Sequence, residues 1–169
     1  KRMKSILMGI KLFVYYSMLG YLLENTFSIF TRSNFDSGIS KGPFTPLYFF
    51  GFLIIWIVNY LLRNMPLGTG KVILYFVIMF VLLSLLEYVG GVLIEKFLHK
   101  TWWNYEHYKF HIGKYISVEV SIVWALLATI FNFYLIDIVT GIILNMNTPL
   151  TLILFFLYVL DFLLGIFGL

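Results

Sequence analysis

Apolar residues run along this chain in five long stretches, at residues 5–30, 44–62, 72–98, 115–144 and 150–169, and polar residues collect in the short segments between them. Crossing a bilayer takes about 20 mostly apolar residues in a helix, so each stretch is predicted to be a membrane-spanning helix. The breaks carry stop signals. Pro43 and Pro46 in "GPFTP" favour a helix start and fit poorly deeper in one. Pro66, Gly68 and Gly70 make "RNMPLGTGK" a turn, and "NMNTP" is the last turn. The longest break, "HKTWWNYEHYKFHIGK", has the composition of an interfacial aromatic belt.

Polar positions inside the stretches are few and ordered. In the first, Ser17, Gly20, Glu24, Ser28 and Thr31 recur every three or four residues, one stripe of a helix. In the third, "LLEYVGGVLIE" holds Glu87, Gly91 and Glu95 in line with Ser84, and in the fifth Asp161, Gly165 and Gly168 repeat the theme. Small residues let helices approach closely in lipid, so these stripes are expected to face one another. The second stretch has no acid and is expected outermost. An ionisable residue inside a membrane costs a few kcal/mol or more unless it faces protein, water or a partner charge. Alternating helix direction puts Glu24, Glu87, Glu95, Glu119 and Asp161 in the bilayer half nearer the two long loops. Asp137 follows Glu119 by five helical turns on the same face and belongs near the other surface.

The expectation is an all-α polytopic membrane protein, a single domain of five spanning helices. It carries an acidic cup open to one side and capped by residues 33–41 and 99–114. The ligand-binding candidates are Glu24, Glu87, Glu95, Glu119 and Asp161, with Trp102, Trp103, Tyr105 and His107 from the aromatic loop as a lid that also offers Glu106 and Lys109. A plainer reading stands beside this one. Acids near helix ends often only accept hydrogen bonds from Lys, Tyr or backbone groups of an adjacent loop, and the loop is then a belt and nothing more.

Composition narrows the class. The chain is 61% apolar and 20% aromatic, with 12% charged residues where globular domains carry about 25%, and its mean hydropathy is +0.93. This is an integral membrane protein with no room for a soluble domain, expected as a multi-pass protein of the cell membrane with lipids as neighbours. The first stretch is too long and too rich in Tyr for a signal peptide and is expected to be retained. No cysteine is present, which excludes disulfides and thiolate-held metals. The net charge of +4 sits mostly at span ends, the place of headgroup anchors, and is no argument for nucleic acid. Lys1, Arg2, Lys4, Arg63 and Lys71 fall on one side and Arg32, Lys41, Lys96, Lys100, Lys109 and Lys114 on the other, so charge does not orient the chain. No internal repeat is legible, which gives no support to an inverted-repeat transporter. His99, His107 and His111 raise zinc as a minor option, but "HYKFH" lacks the HExxH glutamate and no cofactor is expected. "GTGK" lacks the phosphate-loop spacing, so the chain is not itself an ATPase.

Four segments together, "YSMLGYLLENTF", "KGPFTPLYFFGFL", "LLEYVGGVLIEKFLHKTWWNYEHYKFHIGKYI" and "VSIVWALL", resemble in this order the blocks of the CmpB-like family of ABC-transporter type IV membrane proteins. The resemblance rests on LLE, GPxxPxY, LExxxGxxxE and WWxY, and carries family positions onto Glu24, Gly42, Pro43, Pro46, Tyr48, Gly51, Glu87, Glu95, Trp102, Trp103 and Tyr105. It thereby adds Tyr48 to the binding candidates. The chain departs from the pattern at Asn104, where an acid is usual, at "GKY" with Lys114 for "GRI", and at Ala125 for Gly.

The resemblance implies a permease-like subunit that binds a small solute or lipid, working with a separate ATPase or another membrane subunit, and leaves room for oligomers. Two other classes stay open on the residues. A membrane-embedded enzyme for lipid or isoprenoid substrates would use Glu24 and Glu87 as general acid and base. An accessory or scaffold subunit would use the acids only to lock helix register.

Overall fold

A computed structural model of the chain describes residues 2–31, 42–99 and 101–167. Among the described residues the protein is mainly helical, with short turns and loops and one small hairpin. Its elements are α1 (Arg2–Thr31), α2 (Leu47–Leu61), α3 (Thr69–Leu98), β1 (His111–Ile112), β2 (Ile116–Ser117), α4 (Val118–Ile130), a π-helical turn (Phe131–Leu135), α5 (Ile136–Asn145) and α6 (Thr148–Phe167). Among the described residues four helices are long and apolar enough to cross a membrane: α1, α3, α6, and the continuous helix Val118–Asn145 that joins α4 to α5. The second expected span is a shorter apolar helix, α2, with 15 residues. The segment before it stays non-helical because Pro46 supplies a fixed φ and no N–H donor, so the helix starts immediately after it.

The fourth span starts at Val118, later than the 115 expected from hydropathy. Residues 111–117 instead form an antiparallel pair, His111 opposite Ser117 and Ile112 opposite Ile116. Gly113 makes the reversal at φ 62°, a left-handed conformation that glycine adopts without penalty. The π-helical turn, with i→i+5 bonding, breaks the 3.6-residue phase that would align Asp137 with Glu119.

The chain divides into two compact units, Lys1–Phe49 with Asp137–Leu169, and Phe50–Ile136. In the first, α1 packs on α6 around Val14, Ser17 and Thr151, all fully buried. Phe13 meets Phe49, Tyr158 and Phe155 edge-on at 5.2, 5.0 and 6.2 Å between ring centres. Hydroxyl pairs add direction: Tyr16 with Thr140 at 2.8 Å, and Thr151 to Tyr15 at 3.3 Å. In the second unit, α4 presents small residues, Ser121, Ala125, Ala128 and Thr129, along one buried face. That lets α3 come close, and the Ser84 hydroxyl donates to Ser121 at 2.8 Å. Most large apolar side chains on the outside, among them Ile73, Val77, Val81, Leu85, Leu152 and Phe156, are exposed, as a lipid-facing surface requires.

One charge lies buried within α1. Lys11 donates to the carbonyl oxygens of Leu144 at 2.8 Å and Met146 at 2.6 Å, the orphan acceptors at the end of α5. A cation there is favoured twice, by the hydrogen bonds and by the negative end of the helix dipole. Asn147 caps the next helix by accepting from Leu150 N at 3.0 Å, and Pro149 sits in the first turn of α6, where its missing donor costs nothing. Lys11→Met should therefore destabilise the first unit by about 2 kcal/mol, the scale of hydrogen bonds to a charged group. Reversible unfolding of the protein in mild detergent measures this; an unchanged midpoint would show that the two carbonyls are equally well served by water.

Candidate functional site

The expected carboxylates fall in separate units. Glu24 and Asp161 lie in the first, and Glu87, Glu95 and Glu119, with the aromatic loop, lie in the second. Residues 33–41, expected as one of the caps, lie outside the described residues.

In the first unit the connector from Gly42 to Tyr48 is laid against its neighbours by three polar contacts. Gly42 N donates to Asp161 Oδ2 at 3.0 Å, Thr45 N donates to the Ser17 carbonyl at 3.0 Å, and the Tyr48 hydroxyl donates to Glu24 Oε2. A Cβ at Gly42 would stand 3.2 Å from Asp161 Oδ2, a tight contact that glycine avoids. Gly20, one turn before Glu24, has no room for a Cβ because the Tyr48 ring lies directly on it. The ring and its hydroxyl thus use two positions of α1 spaced four apart, glycine for the ring and glutamate for the hydroxyl. Among the described residues Tyr48 is the hydrogen-bond partner of Glu24, and the second carboxylate oxygen has none. Counted from the Lys11 level, Glu24 lies about 20 Å along α1, and Asp161 lies about 20 Å along α6 from its start at Thr148.

In the second unit the same device recurs. Gly91 is covered by the Tyr115 ring with no space for a Cβ, and the Tyr115 hydroxyl donates to Glu95 Oε2 at 2.7 Å. Lys114, immediately before that tyrosine, donates to and pairs with the other oxygen, Oε1. The Glu95 carboxylate holds the Lys114 ammonium above the ordinary lysine range, while burial and then Glu95 raise the Tyr115 phenol, so both remain donors at neutral pH. Lysine in place of the family's usual arginine still makes the pair, as a single ammonium rather than a fork.

The aromatic loop folds back along α3 from these anchors. Tyr105 donates its hydroxyl to Glu87 Oε1 at 3.2 Å, eleven residues back from the end of α3 at Leu98, which is about 16 Å along the helix. Tyr105 N donates to the Lys114 carbonyl at 2.8 Å, and Trp103 meets Tyr115 edge-on at 6.1 Å. The indole N–H groups of Trp102 and Trp103 are buried with no acceptor among the described residues. His107 is exposed and rests on Tyr108 at 4.5 Å rather than on a glutamate. Asn104 and Glu106 bond each other in a local turn. Lys109 lies over its neighbour Phe110, 5.3 Å from the ring centre. No three His, Asp or Glu side chains come together as a metal site among the described residues.

Glu119 has a local task. Oε1 accepts from Phe110 N at 3.1 Å and Oε2 from the Ser117 hydroxyl at 2.9 Å, which closes the hairpin onto the first turn of α4. Both oxygens of Glu95 and both of Glu119 are thus satisfied from within the fold. The pattern search did not single out Tyr115 and Lys11. A glycine four residues before each of Glu24 and Glu95 was the available sign that a bulky donor would settle there.

Gly91→Ala should push Tyr115 off α3 and raise hydrogen exchange across residues 101–117, at a cost of about 1–3 kcal/mol typical of overpacking. Gly9→Ala, where a Cβ meets open space, should leave that exchange unchanged. Equal behaviour of the two variants would contradict the ring-on-glycine account. The comparisons with known proteins point in one direction. No curated protein and no solved structure matches the chain. One family model does, the CmpB model described as "Putative ABC-transporter type IV", over residues 11–166. With the match covering nearly all of its helical body, this membrane protein belongs to the CmpB-like ABC-transporter type IV family.

Proposed function

We propose that this chain is the permease-like component of a transport system in the cell membrane, that it binds a small solute or lipid headgroup at an intramembrane carboxylate, and that a separate ATPase subunit supplies the energy. The family name supports the transport class. The observation that carries the binding role is the unequal use of the acids. Glu95 and Glu119 spend both oxygens inside the fold, whereas Glu24 is fixed by Tyr48 through one oxygen and has the other without a partner among the described residues.

A carboxylate held in one rotamer, with a spare acceptor at membrane depth, is suited to a hydroxyl or ammonium group of a ligand. Fixing the rotamer beforehand lowers the entropy lost on binding. Tyr48 also makes the site selective, because its donated proton leaves the ligand one unengaged carboxylate oxygen. Glu87 accepts from Tyr105 and Asp161 from Gly42, and both serve as additional contacts in their own units.

Native mass spectrometry of the protein extracted gently from its own membrane tests this reading. The wild type should carry a small molecule and an ATPase subunit. Glu24→Gln should lose the small molecule by at least about tenfold while keeping the subunit, as expected when a charged acceptor is removed. Glu119→Gln should keep the small molecule and lose only hairpin stability. Retention of the molecule in Glu24→Gln would overturn the assignment.

A further inference from the structure

Among the described residues, Asp137 is the acid that none of these arrangements uses. We propose that the side of α5 bearing Asp137 is the docking face for a transmembrane helix of a second, different membrane protein, one that presents a lysine or arginine to this carboxylate.

The helix shows two opposed sides. Ile143 is buried and the Thr140 hydroxyl is bonded to Tyr16, so this side is committed to the first unit's interior. Asp137, Ile138, Ile142 and Asn145 are exposed on the other. Asp137 makes no hydrogen bond or ion pair with any described residue.

Depth turns that exposure into a problem. Asp137 lies eight residues before the end of α5, about 12 Å along the axis from the turn where Lys11 holds the last carbonyls. An aspartate side chain is too short to reach a headgroup from there, unlike the long stems of Lys and Arg. Charged side chains inside spans normally face the bundle interior or pair with one another. This one faces outward, so its counter-charge comes from another chain.

The surroundings fit a helix rather than a lipid. Gly141, one turn on, leaves nothing within 4 Å of where a Cβ would stand, an opening that lets a second backbone approach closely. Asn145 spends its amide on the Gly141 carbonyl at 3.0 Å, so the backbone acceptor exposed by the missing side chain is already satisfied.

A second copy of this chain does not meet the need. A two-fold axis through this face would bring Asp137 toward Asp137. Among the described cations near the spans, Lys11 is held on the α5 carbonyls, Arg63 over the Tyr60 ring, Lys71 on the Met65 carbonyl, Lys96 beside the Phe97 ring and Lys114 on Glu95, while Arg2 and Lys4 lie at the outer end of α1, beyond the level of Lys11 and farther still from that of Asp137. The inference stands apart from the Glu24 reading, since neither residue enters the argument for the other.

The test places a photo-reactive benzoylphenylalanine at Ile138 of the full chain in its native membrane. The expected result is a covalent adduct with one other membrane protein, linked within a turn of a lysine or arginine in one of its transmembrane helices. Asp137→Lys should cut that adduct about tenfold or more, and changing the partner's basic residue to Asp should restore it, the reciprocal behaviour of a desolvated charge pair. The same probe at Phe156, an exposed apolar position on α6, should label lipid alone. Asp137→Asn should leave the melting temperature of the isolated chain unchanged, which separates a lost contact from a lost fold. Lipid-only labelling at Ile138, an adduct with a second copy of this chain, or a protein adduct indifferent to Asp137→Lys would each overturn the proposal.

Discussion

A carboxylate at membrane depth has no water to fall back on, so the protein must bring its donors to it. That constraint organises most of the irregular structure in this chain. Tyr48 comes to Glu24, Tyr105 to Glu87, Tyr115 and Lys114 to Glu95, and Gly42 to Asp161. Each donor sits on or beside a non-helical segment, where the backbone N–H groups are not spent on helical bonds and the side chains can be laid across a neighbouring helix. The proline-broken entry to α2 and the hairpin before α4 are the pieces of backbone that satisfy this demand.

Tyrosine suits the task for a physical reason. Its ring covers a glycine and gains packing in lipid where the hydrophobic effect between helices is absent, while its hydroxyl reaches the glutamate one turn away. The glycines Gly20 and Gly91 of the α1 and α3 stripes therefore do something other than what helix-packing rules anticipate. Within each unit Gly20 and Gly91 admit an aromatic ring, and close helix approach falls instead to Ser121, Ala125, Ala128 and Thr129 of α4.

Hydropathy made the helical class legible because a spanning helix has to be apolar over its whole length, and the breakers Pro46, Pro66, Gly68 and Gly70 marked where the chain turns. Helix ends were less legible. The stretch from Tyr115 reads as apolar, but Ile116 and Ser117 are strand because His111 and Ile112 lie opposite them, a pairing no local window contains. Lys11 was hidden for a related reason: its partners are the carbonyls of Leu144 and Met146, and backbone acceptors leave no trace in a sequence. The acids themselves stood out, because charge in an apolar run is conspicuous. Their partners were harder to find, since each tyrosine donor follows its glutamate by 18 to 24 positions in the chain.

The two copies of the glycine, glutamate and tyrosine device differ in one neighbour, and that difference separates their roles. Lys114 precedes Tyr115 and neutralises the oxygen of Glu95 that the hydroxyl does not use. Leu47 precedes Tyr48 at the corresponding place, and leucine can neutralise nothing. The same scaffold thus closes one carboxylate completely and stops one bond short at the other. A charge in hydrocarbon is costly to leave half-satisfied, and under the proposed function the missing contact at Glu24 is where a mobile partner gains most by binding. Supplying that partner locally, as Lys114 does at Glu95, would turn the site into structure.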